Sequence, residues 1–153
     1  MTIVFKGYVP ALPPSVNAMY VHTRRGPVQS KALKQFKVKA KLALAEQIPL
    51  TYAGVDPGQA YKLTLIVHLP ALENKGWPKS AKTRYKRRDV SNLIKVMEDV
   101  LSDSLGIDDA NFVRVVAEKV QDVIGDCSGG ITILLEEHRD PFGEQRVDPY
   151  GAT

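Results

Sequence analysis

RYKRRDVSNLIKVMEDVLSDSLGIDDANF, residues Arg84 to Phe112, runs from a block of cations through an amphipathic stretch to a pair of aspartates. Four positive charges fall within five residues (Arg84, Lys86, Arg87 and Arg88), and Asp89 follows directly. At about 100° per residue, Val90, Leu93, Ile94, Val96, Met97, Val100, Leu101 and Leu105 occupy one half of a helix. Ser91, Asn92, Lys95, Glu98, Asp99 and Ser102 occupy the other. Asp89 is a good N-cap, because its carboxylate can accept unpaired N–H groups of the first turn. Gly106 is a good stop. The stretch therefore predicts a helix with an acidic residue at its start and Lys95 on its polar face. Asp108 and Asp109 come where the chain leaves it.

Upstream, Pro70 to Tyr85 (PALENKGWPKSAKTRY) lacks apolar periodicity and reads as a flexible loop, with Lys75, Lys79 and Lys82 around Trp77. Trp77 either stacks on a base or packs against its own domain. Tyr61 to Leu69 is the clearest strand, with Tyr61, Leu63, Leu65 and Val67 on one face. His68, on the other face, reads as a strand histidine, since no second histidine stands at metal-ligand spacing to it. Ser30 to Ile48 is helical, capped by Ser30 and stopped by Pro49. Its Lys34, Lys37 and Lys41 share a face that meets phosphate or, more commonly, solvent.

Thr2 to Val9 reads as a strand with Ile3, Phe5 or their neighbours inward, ended by Pro10, Pro13 and Pro14. The loop PPSVNAMY then delivers Asn17 and Tyr20, followed by a small hairpin or plain surface turn at Arg24-Arg25-Gly26. Past the central helix, Phe112 to Val123 and Gly130 to Glu137 read as strands joined by a turn at Gly125 to Gly129. The order β-α-β-α-β-β predicts an α+β fold, a small mixed β-sheet with two helices. One domain spans residues 1–137, and a polar C-terminal tail spans 138–153.

A chain of 153 residues with 44% hydrophobic and 25% charged side chains suits one soluble domain with a real core. The net charge of +4 leans weakly towards an anionic partner. One cysteine, Cys127, excludes an internal disulfide and a cysteine-based metal cluster. No apolar run suits a bilayer and no signal-peptide layout opens the chain, so no membrane is expected and the cytoplasm is the default.

Acidic residues brought together by a helix and the following turn can hold Mg2+ through oxygen ligands. Such an ion activates water for attack on a phosphodiester. The cationic loop would draw in any nucleic-acid backbone. The plainer reading stands beside this one: Asp89 caps a helix, Lys95 pairs with Glu98 or Asp99, and Asp108-Asp109 forms a turn.

PPSVNAMY, a strand ending in HLP, RRDVSNLIKVMEDVL and DDANF together resemble the RusA family of Holliday junction resolvases, in the family's order from about Pro13 to Lys119. The family opens its central helix with Asp-x-Asp-Asn-Leu and a following lysine, here Lys95. The resemblance implies a homodimeric, Mg2+-dependent endonuclease that nicks four-way DNA junctions symmetrically, with Mn2+ as an alternative ion. Asp89 and Asp109 match catalytic aspartates, and Lys95 the functional lysine. Asp89 and Asp109 would hold the metal, with Asp108 and Ser91 as secondary or water-mediated ligands. Arg84, Lys86, Arg87 and Arg88 would grip DNA, with Lys75, Lys79 and Lys82 reaching across it. Arg24, Arg25, Asn17 and Tyr20 complete the expected DNA-binding set.

One departure matters. Ser91 stands where the family has its second aspartate, which removes a formal negative charge from the site. A water, Asp108, Glu98 or Asp99 would then fill the role. Two other function classes stay open: a branched-DNA-binding protein that cuts weakly or not at all, and a nuclease for flaps, forks or RNA.

Overall fold

The structure is a computed structural model and describes residues 2–52, 54–86, 90–122 and 128–139. Asp89, Arg87 and Arg88, most of the expected turn at Gly125 to Gly129, and the tail beyond Arg139 lie outside the described residues.

Strand β4 (Tyr61–Leu69) is the spine of the sheet. Its side chains alternate as the period of two requires, with Tyr61, Leu63, Leu65, Val67 and Leu69 all buried. Antiparallel to it runs β6 (Gly130–Glu137), and parallel to it on the other side runs β5 (Phe112–Gln121). Strand β1 (Ile3–Val9) adds antiparallel to β6, giving the order β1-β6-β4-β5. The strands β5 and β6 are consecutive in the chain, yet they flank β4 rather than pair with each other. In β1 the inward residue is Phe5, while Ile3 is 58% exposed. A register shift between Ile3 and Phe5 separates the two.

Two helices cover one face of this sheet, α1 (Lys31–Gln47) and α2 (Val90–Leu105). Ser30 caps α1: its hydroxyl accepts from the Leu33 N–H at 3.2 Å and donates to the Ala18 carbonyl at 2.6 Å. Leu33, Phe36, Ala40 and Leu44 turn inward from α1. They meet Leu93, Val96, Met97, Val100, Leu101 and Leu105 of α2 in one core. Gly106 ends α2 at φ +73°, a conformation that favours glycine. The Tyr52 hydroxyl donates to the free Leu105 carbonyl at 2.9 Å. At the outer edge of β1, the Gln47 amide accepts from the Tyr8 N–H and donates to the Tyr8 carbonyl, both at 2.7 Å. Gln47 thus stands in for a missing strand.

A separate two-stranded hairpin, β2 (Tyr20–Thr23) with β3 (Gly26–Gln29), precedes α1. It turns on Arg24 and Arg25, and Gly26 adopts φ +102°. The whole is a small α+β fold with a mixed sheet, as the order of elements predicts.

Candidate active site and nucleic-acid surface

The polar face of α2 meets the turn after it. Asp108 caps a short 3-10 turn (Asp109–Asn111), one oxygen accepting from the Ala110 N–H at 2.9 Å. Asn111 fixes that turn to the loop before β4 by donating to the Pro57 and Gln59 carbonyls, both at 2.8 Å. Asp108 and Asp109 are exposed and line one open hollow with Asp99, Ser102, Asp103 and Lys37. Burial pushes the Glu98 carboxyl above its usual range, Asp109 and Asp99 push it the same way, and Lys95 opposes them.

The cations around this hollow were only half legible in the sequence. Lys37 Nζ lies 3.3 Å from Asp99 Oδ2, and Lys41 Nζ lies 2.6 Å from Asp103 Oδ2. Two residues expected to form a phosphate-facing or solvated stripe therefore bridge α1 to α2. The signal was the matching spacing of four on both helices, which aligns two rungs. Lys95 itself is exposed on α2; of its two expected partners, Asp99 pairs with Lys37 and Glu98 feels the charge of Lys95.

Ser91 does not line this hollow. Ser91 lies in the first turn of α2, eight residues before Asp99, or about 12 Å along the axis. Two ligands of one Mg2+ at about 2.1 Å each stand at most about 4 Å apart. Ser91 and Asp99 therefore do not share an ion within one chain. Among the described residues, no group of three or more His, Cys, Asp or Glu is arranged to hold a metal. The hollow offers only oxygen donors, which suit Mg2+ in its usual habit of taking one or two carboxylates and completing its shell with water and phosphate.

The loop before α2 is tied by its own polar groups. The Asn74 side chain donates to the Thr83 carbonyl at 2.9 Å and the Tyr85 carbonyl at 3.1 Å. The backbone closes the same neck, Asn74 N–H to Arg84 carbonyl and Lys86 N–H to Leu72 carbonyl, both at 2.8 Å. Gln121 and Lys119 of β5 hold its base, through Leu72, Pro70 and Lys86. Arg84 pairs with Glu73 at 3.5 Å and lies over the Tyr85 ring at 5.3 Å. Lys75, Lys79, Lys82 and Lys86 are exposed, as are Arg24, Arg25, Asn17 and Tyr20 on and beside the hairpin. His68 is engaged within the sheet, its Nε2 at 2.8 Å from Thr132 Oγ1. No helix among the described residues is long and apolar enough to cross a membrane.

The family model described as Endodeoxyribonuclease RusA matches residues 10–136 of the 153-residue chain. No curated protein matches it.

Proposed function

The chain belongs to the RusA family of endodeoxyribonucleases, and from that membership we propose a Mg2+-dependent enzyme that resolves four-way DNA junctions by phosphodiester hydrolysis. The match across residues 10–136 carries this reading. The acidic hollow and the cationic loop at the two ends of α2 support it. Residues 1–137 form the nuclease domain, with 138–153 as its tail.

Asp89 and Asp109 are the metal carboxylates in this proposal. Asp108 and the Ser91 hydroxyl act through water, with Mn2+ as the substitute ion. When bound, the ion supplies an activated water and offsets charge on the attacked phosphate. Lys95, exposed on the polar face of α2, contacts the scissile phosphate. Lys86, Arg87 and Arg88 hold neighbouring phosphates. Arg84, fixed by Glu73 and Tyr85, presents its remaining guanidinium donors.

A homodimer answers two needs. A junction presents two equivalent strands to be cut. A second copy would also let Ser91 and Asp89 of one chain meet Asp109 of the other. Exposed apolar side chains suited to such an interface stand on the sheet (Ile3, Tyr8, Val113, Val116) and on α1 (Val38, Leu42).

A synthetic four-way junction incubated with the protein with and without Mg2+ tests the proposal. Paired nicks that need the metal, lost in Asp109→Asn while junction binding persists, are expected. Ser91 favours one second reading, a branched-DNA-binding protein that cuts poorly. Tight junction binding in EDTA without Mg2+-dependent nicking would select it, and flap cleavage at equal rate would select a different nuclease.

A further inference from the structure

Trp77 is the only tryptophan of the chain, and it is 40% exposed. It is absent from the hydrophobic core, which closes without it. Its side chain is part-exposed on a loop whose neck is tied by Asn74. Its backbone N–H donates to the Asn74 carbonyl at 3.1 Å, and Ser80 and Ala81 N–H groups close on the Gly76 carbonyl behind it. The ordering cost of presenting the ring is thus met before any ligand arrives.

The surroundings select the ligand. From Asn74 to Arg88 the chain carries seven cations and no acid: Lys75, Lys79, Lys82, Arg84, Lys86, Arg87 and Arg88. Lys75, Lys79 and Lys82, within five residues of Trp77 in the chain, are exposed. A flat aromatic face among lysines matches a nucleobase flanked by phosphates.

Resting on the endonuclease reading, we propose that Trp77 reads the branch point, stacking its indole on a base whose neighbour is lost where the strands cross over. In continuous duplex each base is covered on both faces by its neighbours, and the ring finds no seat. At an opened junction the flanking bases lose one stacking partner, and Trp77 replaces it. The lysines supply affinity for any DNA. Trp77 supplies the preference for branched DNA.

Because Trp77 is the lone tryptophan, the emission of the full-length protein reports it directly. In EDTA, a four-way junction should quench that emission, and a linear duplex of equal length, bound at low salt, should not. Trp77→Ala should weaken junction binding by about tenfold and leave duplex binding unchanged. Trp77→Phe should keep most of the preference, and thermal melting should show both variants folded. Equal quenching by duplex, an equal loss for both DNAs, or no loss at all in Trp77→Ala would overturn the assignment. The reading beneath it fails differently: wild-type protein that binds junction and duplex alike, and cuts neither with Mg2+, would remove both.

Discussion

Lys37 and Asp99 form an ion pair of 3.3 Å across the two helices, the lysine side chain 14% exposed and the aspartate 47%. The more hidden partner is the cation, and it borders the hollow that holds Asp108 and Asp109. Such a pair adds at most about 1 kcal/mol to stability where one partner is this open. Its larger effect is on the charge of the hollow.

Lys37→Met should therefore lower the Mg2+ concentration needed for half-maximal cleavage by a few-fold, as the hollow gains a net negative charge. Asp99→Asn should raise it by a similar factor, and the double variant should return near wild type. Shifts of both single variants in the same direction would mark the pair as purely structural. Calorimetric Mg2+ titration without DNA reads the same trend.

Subunit mixing tests the shared site. Asp89→Asn and Asp109→Asn should each be inactive as homodimers. When the two are mixed and allowed to exchange, the heterodimer has one complete site, if each site takes Asp89 from one chain and Asp109 from the other. Junctions should then be nicked once, on one strand. Persistent inactivity after proven exchange would place both residues in one chain's site.

Glu98 has a carboxyl raised above 4.5, first by burial and then by Asp109 and Asp99. Between the ordinary value and the raised one, the folded chain keeps a proton that the unfolded chain has lost. Stability from this group is therefore present at low pH and falls as pH rises through that window. Glu98→Gln, melted without metal, should match wild type below pH 4.5 and exceed it modestly at neutral pH. A variant less stable at neutral pH would show that the charge is needed for the fold.

Ser91→Asp restores a carboxylate at the exposed first turn of α2. Half-maximal cleavage should need several-fold less Mg2+, with the largest gain in rate at low metal, and junction affinity in EDTA should drop slightly. Unchanged metal dependence would mean that another carboxylate already fills the role. Glu98→Gln and Asp108→Asn, titrated alongside, identify it.

Much of this was legible from periodicity alone. The apolar half of α2 and the alternation of β4 are repeats, and the buried sets match the expected faces. The Ser30 cap and the Gly106 stop follow from local chemistry. What escaped were contacts without a repeat. Asn74 braces its loop with one amide, which leaves no pattern in the sequence. Ile3 is exposed where Phe5 is buried because of an irregularity in the β1–β6 register. Helix rise alone sets Ser91 about 12 Å from Asp99 along α2, and Ser91 lies outside the lining of the hollow.

The sheet order carries a consequence for synthesis. Strand β6 lies between β1 and β4, and Ile3 pairs with Glu136, so the first strand made waits for the last. On a ribosome adding about 5–20 residues per second, β1 and one edge of β4 stay unpaired until nearly the whole chain has emerged. A nascent chain stalled before Gly130 should thus be a preferred client of chaperones and an easy target for proteases. A member of the RusA family would then be assembled all at once, with no half-built domain released beforehand.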